Sequence, residues 1–123
     1  MPRFSAYLPP VNPQMNRTLF IAQRLSALIL GPLVIVHLAL IIIAVRNGLN
    51  ADEILTRTQG NIGWAAFYTT FVLAASIHAP IGLRNILREW SALSNRIIDM
   101  SMIGFALLLL TLGLRAVIAV TGS

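Results

Sequence analysis

Residues 18–45, TLFIAQRLSALILGPLVIVHLALIIIAV, carry a single charged side chain, Arg24. As a helix this run reaches about 40 Å, enough to cross a hydrocarbon core of about 30 Å and project at one end. Asn16 or Thr18 can cap its start, and Arg46-Asn-Gly-Leu-Asn50 ends it with polar, turn-forming residues. Pro32, following Gly31, cannot donate to the carbonyl of Leu28 and is expected to bend the helix in mid-span. The stretch therefore reads as a membrane span.

Two further spans follow, at about 62–87 and 97–120. Trp64 and Tyr68 near the start of the second are interface aromatics, and Arg115 lies close enough to the end of the third to snorkel. Pro80 frees the carbonyl of Ser76 and predicts a bend beside His78. A polar loop over 46–61 contains Asp52 and Glu53, which can begin a helical turn, and Arg57; a shorter loop covers 88–96. Residues 1–16 read as an irregular arm, because prolines at 2, 9, 10 and 13 remove donors and disfavour helix before them. Phe4, Tyr7 and Leu8 in this arm are expected at the interface or against a soluble partner. The arm does not resemble a signal peptide and is expected to be retained. The expected fold is all-α: one integral membrane three-helix bundle over residues 1–123, with no internal repeat and no soluble core.

Composition agrees. The chain is 57% hydrophobic and 11% charged, with a mean hydropathy of +0.80. Its net charge of +5 comes from nine arginines against four acids, with no lysine. Nucleic-acid binding would need a soluble basic face, which the apolar runs do not leave, so the lipid bilayer is the expected surrounding. The absence of cysteine excludes disulfides, thiolate metal sites and an iron–sulfur cluster of the chain's own. Arg3, Arg17, Arg24, Arg84, Arg88 and Arg96 fall at one end of the expected bundle, and Arg46, Arg57 and Arg115 at the other. The positive-inside rule then puts the N-terminus inside and the C-terminus outside.

The chemistry concentrates in His78-Ala-Pro-Ile-Gly-Leu-Arg-Asn-Ile-Leu-Arg-Glu-Trp90. On a helix His78 shares a face with Gly82, Asn85 and Glu89, and Phe67, Phe71 and Ala74 continue it the other way. Glycine one turn from an imidazole leaves clearance for a broad flat ligand such as a porphyrin. Apolar rings on one side and polar groups on the other suit an amphiphilic macrocycle with propionates towards the surface. The plainer reading is a histidine hydrogen-bonded between helices, with Gly82 as a packing notch. Arg24 and Arg84 read either as functional cations or as interfacial anchors, Arg88 and Arg96 as docking or lipid-headgroup residues. Glu89 can neutralise a neighbouring arginine or accept from a partner backbone, and Trp90 is an interface anchor by default.

The pattern His-x3-Gly-x-Arg-x4-Glu, here His78, Gly82, Arg84 and Glu89, resembles the second-helix pattern of the cytochrome b membrane anchor subunit of succinate dehydrogenase (succinate:quinone oxidoreductase), which has Asp where Glu89 stands. That family's first helix carries His-Arg-x-Ser/Thr-Gly. The corresponding run, Gln23-Arg24-Leu25-Ser26-Ala27, matches at Arg24 and Ser26 and departs at Gln23 and Ala27. Length, three spans and a proline-containing arm also fit, so the fold implied is the succinate dehydrogenase/fumarate reductase transmembrane subunit type.

The resemblance implies that His78 is an axial ligand of haem b, and that Arg24 and Arg84 lie near the quinone and the haem propionates. Asn85 stands where the family often has a histidine that pairs with a propionate, and donates without a charge. Phe20 aligns with the family's quinone-contacting serine, so Thr18, Gln23 or Ser26 would take over that contact; the aromatic Trp90 would border the quinone pocket. Ubiquinone or menaquinone is the implied substrate. The implied partners are an iron–sulfur subunit and a flavoprotein subunit on the arginine-rich side, and a second membrane anchor subunit supplying the other axial ligand. The implied location is the bacterial cytoplasmic (inner) membrane.

His37 lies thirteen positions beyond Arg24, roughly 20 Å, whereas His78 is six positions, about 9 Å, from Arg84. If the two arginines mark one surface, the imidazoles differ in depth by about 10 Å and do not suit one haem together. His37 is then a core histidine, a residue of a quinone or proton path, or, by the resemblance, a distal haem ligand shared with another subunit. The expected function is a membrane anchor of a succinate:quinone or quinol:fumarate oxidoreductase, non-catalytic alone, that binds haem b and helps form a quinone site. The alternatives are a haem-free structural anchor and a small proton channel or transporter component.

Overall fold

The computed structural model describes residues 13–122, with side chains from Asn16 onward. The N-terminal expectations for Arg3, Phe4, Tyr7 and Leu8 lie outside the described residues. Four helices follow in order: α1 (Pro13–Arg46), α2 (Ala51–Thr58), α3 (Ile62–Trp90) and α4 (Asn95–Thr121). Three of them are long and apolar enough to cross a membrane. The described residues contain no strand, and the protein is an all-α membrane bundle.

Helix α1 starts at Pro13, so residues 13–16, read from sequence as the end of an irregular arm, are helical. Proline is compatible with a first helical position, because the N–H it lacks would have no partner within the helix and its fixed φ suits the turn. Pro32 and Pro80 both sit inside continuous helices.

Each later helix starts at a side-chain cap. Asn50 accepts from the amide of Asp52, Asn61 from Trp64 and Ser94 from Ile97. At the end of α1 the chain reverses through Gly48 (φ 92°) and Leu49 (φ 54°). Helix α2 is polar; Arg57 pairs with Glu53 one turn earlier at 2.9 Å. Its last residue, Thr58, is buried and donates to the carbonyl of Val120 at 2.6 Å, while the Gly60 amide donates to Thr121 at 2.9 Å. The loop between the first two spans is thus fastened to the end of the third.

Helix α3 is the element against which both α1 and α4 pack. The loop 91–94 is short enough to make α3 and α4 an antiparallel hairpin. Ala74, Ile81, Ile98 and Val117 form the small buried core, and large apolar side chains such as Ile35, Leu28, Leu107 and Ile118 point outward, as a lipid-facing surface requires. The hairpin helices approach closely at Gly113, where an added Cβ would lie 2.5 Å from Val72 Cγ1 and 2.9 Å from Cγ2. Small residues at helix crossings in membranes serve this close approach. Gly113→Ala is expected to lower stability by about 1–3 kcal/mol through overpacking. Gly31→Ala, at a position with open space around it, is expected to leave the melting temperature of the detergent-solubilised protein unchanged.

Candidate functional site

The site lies between the start of α1 and the end of α3. Ser26 is buried, and its hydroxyl donates to the carbonyl of Gln23 at 3.0 Å. The same oxygen lies 3.4 Å from Nδ1 of His78, which is half-buried and faces α1 from α3. One turn further along α3, a Cβ on Gly82 would meet only the amide nitrogen of Gln23, at 3.6 Å. That is ordinary contact, so packing within this chain does not demand glycine there. Within this chain Gly82 does not make the close helix contact that Gly113 makes, while the His78 contact to Ser26 across the helices agrees with the plainer reading.

Towards the arginine-rich end, Asn16, Leu19, Phe20, Gln23, Ile81, Arg84, Asn85 and Arg88 line an open groove of about 220 Å³. Its polar groups come from both helices, and the side-chain oxygen of Gln23 is buried without a hydrogen-bond partner. Arg84 is only 5% exposed. Its Nε donates to Oδ1 of Asp99 on α4 at 3.0 Å. A buried cation in an apolar helix needs such a counter-charge, and one contact leaves most of the five guanidinium donors for other partners.

Asp99 was not singled out from the sequence. Its signal was a lone carboxylate in the apolar run Ile97-Ile98-Asp99-Met100, which within a membrane helix calls for a cationic partner. Glu89, the acid expected to neutralise a neighbouring arginine, is exposed and forms none of the ion pairs among the described residues. Trp90 is 83% exposed at the same end, which leaves its ring free for the headgroup region or another subunit.

The structure splits the expected quinone and propionate set into three. Ser26 stands with His78. Arg84 and Asn85 line the groove. Arg24 is exposed, with its guanidinium carbon 5.4 Å from the centroid of the Phe20 ring, and is not a lining residue of the groove although Phe20 is.

His37 belongs to the opposite half. Its ring lies 5.1 Å from Phe71 and 6.3 Å from Tyr68. It lines a second cavity of about 210 Å³ with Arg57, Trp64 and Tyr68, among others, and its Nδ1 is buried without a partner. Ser26, the residue that His78 touches, is eleven positions from His37 on α1, about 16 Å. The two imidazoles therefore occupy different levels of the bundle.

Among the described residues no group of three or more histidine, cysteine or acidic side chains is placed to hold a metal ion. One imidazole cannot retain a metal alone, but it can serve an iron already held by a macrocycle, which needs protein only at its axial positions. His78 beside Gly82, with Gln23, Arg84 and Asn85 towards the surface, fits a group of that shape and charge.

Residues 3–114 match the family described as succinate dehydrogenase/fumarate reductase transmembrane subunit. Searches of curated proteins and of solved structures gave no match.

Proposed function

Since the chain belongs to the succinate dehydrogenase/fumarate reductase transmembrane subunit family, we propose that it anchors such a complex in the bilayer, binds haem b through His78 and forms part of a quinone site. The observation that carries this reading is the pairing of His78 with Gly82 on the α1-facing side of α3, where the glycine has no packing reason within the chain. Bound haem would supply one-electron exchange between iron–sulfur clusters of a partner subunit and the quinone. The chain's own residues hold and orient it. His78 would hold it through an imidazole nitrogen, and Arg84 and Asn85 would accommodate carboxylates in the groove. A second protein ligand would have to come from another membrane subunit, because the only other histidine, His37, is at a different level.

At the quinone site Arg24 stabilises negative charge on a quinone oxygen as it is reduced; its guanidinium lies over the ring of Phe20, which lines the groove. Arg24→Ala is expected to lower quinone reduction by the purified complex by about 10²-fold. Succinate oxidation with a soluble one-electron acceptor should be unaffected. Equal rates with quinone in wild type and variant would contradict the role given to Arg24. The flavoprotein and iron–sulfur subunits dock at the arginine-rich end, which faces the cytoplasm of a bacterial cell by the positive-inside rule.

His37 is the candidate ligand of a distal haem in a two-haem version of this reading. Its ring is already packed between Tyr68 and Phe71, which favours one haem. His37→Ala is accordingly expected to leave the haem content per complex unchanged. A halved content would establish the distal site.

A further inference from the structure

We propose that Ser26 is a positioning residue for His78. By accepting a hydrogen bond from Nδ1–H, it fixes the imidazole in the tautomer whose Nε2 lone pair is available to iron. This rests on the haem reading above and concerns how the ligand is prepared.

A serine hydroxyl has one proton to give and lone pairs to receive. Ser26 is 4% exposed. Of its two polar neighbours, the Gln23 carbonyl at 3.0 Å is nearer than the imidazole nitrogen at 3.4 Å, and a carbonyl can only accept. The hydroxyl proton therefore goes to Gln23, the back-bonding arrangement that serine commonly adopts within a helix. Ser26 then turns a lone pair towards Nδ1 of His78. Two lone pairs do not bond, so the contact is attractive only when Nδ1 carries the ring's proton. A neutral imidazole has one such proton, which leaves Nε2 as the donor atom. Hydrogen bonding at the far nitrogen also raises the basicity of the ligating one and fixes the ring's orientation.

His37 provides the contrast. Its Nδ1 is buried with no hydrogen-bond partner, so nothing among the described residues selects its tautomer. Of the two histidines in this chain, only His78 is prepared as a ligand.

Redox titration of the haem in the purified complex, with wild type, Ser26→Ala and Ser26→Thr compared, tests the proposal. Ser26→Ala removes the acceptor and weakens donation by the imidazole, so the midpoint potential should shift to more positive values. Ser26→Thr keeps a hydroxyl and should restore the wild-type potential. Equal potentials in all three, or equal shifts in both variants, would overturn the role of Ser26. A second measurement is the 15N spectrum of histidine-labelled full-length wild-type chain in lipid bilayers, prepared without haem. His78 protonated on Nδ1 supports the proposal, and His78 protonated on Nε2 overturns it, whatever becomes of the variants. A wild-type complex without haem would instead overturn the haem reading, and the 15N spectrum would still decide the tautomer.

Discussion

His78→Ala is expected to remove the b-type haem absorption of the purified complex. Losing a supporting residue around a metal ligand typically costs 10- to 100-fold in affinity, so loss of the ligand itself should exceed about 100-fold. The variant should still fold. His78 is half-buried on a helix whose neighbours are mainly apolar, and alanine is the better helix former. The hydrogen bond lost, to Ser26, is long at 3.4 Å and contributes little. Loss of haem with retained assembly therefore separates a ligand from a core histidine, whose removal would affect stability before any spectrum. The measurement is the reduced-minus-oxidised spectrum of the variant complex, beside its subunit content.

Asp99→Ala is expected to have the largest effect on stability. It leaves Arg84, which is 5% exposed, as a buried cation without its counter-charge. Removing one partner of a buried pair costs about 3–5 kcal/mol. The Asp99 side chain is 34% exposed, so the lower end, about 3 kcal/mol, is appropriate. Thermal denaturation of the solubilised complex should show the loss. In Arg84→Met/Asp99→Ala both charges are gone, and stability should return towards wild type, because apolar replacement of a whole buried pair is often neutral. Haem retention should nevertheless be impaired in that double variant, since Arg84 also lines the groove. If the double variant is as unstable as the single one, the pair is not what holds α3 to α4 at this level.

The long elements were legible because length and apolarity are local properties: a run such as 18–45 spans a bilayer whatever it packs against. Helix ends were less so. Pro13 reads as a breaker in the arm, yet it is the first residue of α1, and sequence alone does not separate those two uses of proline. Levels along the bundle could also be counted. His37 is nine residues before the end of α1 and Phe71 nine after the start of α3, and the two rings meet. Similar counting about the loop 91–94 puts Arg84 and Asp99 near one level. The nearer acid in sequence, Glu89, drew the assignment instead, although it lies on the same helix beside Arg88 and faces outward. Which groups meet at a level depends on how each helix is rotated about its axis. The Ser26–His78 contact and the separation of Arg24 from the groove follow from that rotation, which no spacing within one helix encodes.

Ligation of haem by His78 in the assembled complex is the central claim. The most direct measurement is the dithionite-reduced minus oxidised absorption spectrum of the intact wild-type complex, with protohaem content determined on the same sample. One haem b per copy of this chain, with a b-type spectrum that is absent in His78→Ala and kept in His37→Ala, is the predicted result. An intact, quinone-reducing complex with no haem, or one whose haem survives His78→Ala, would contradict it.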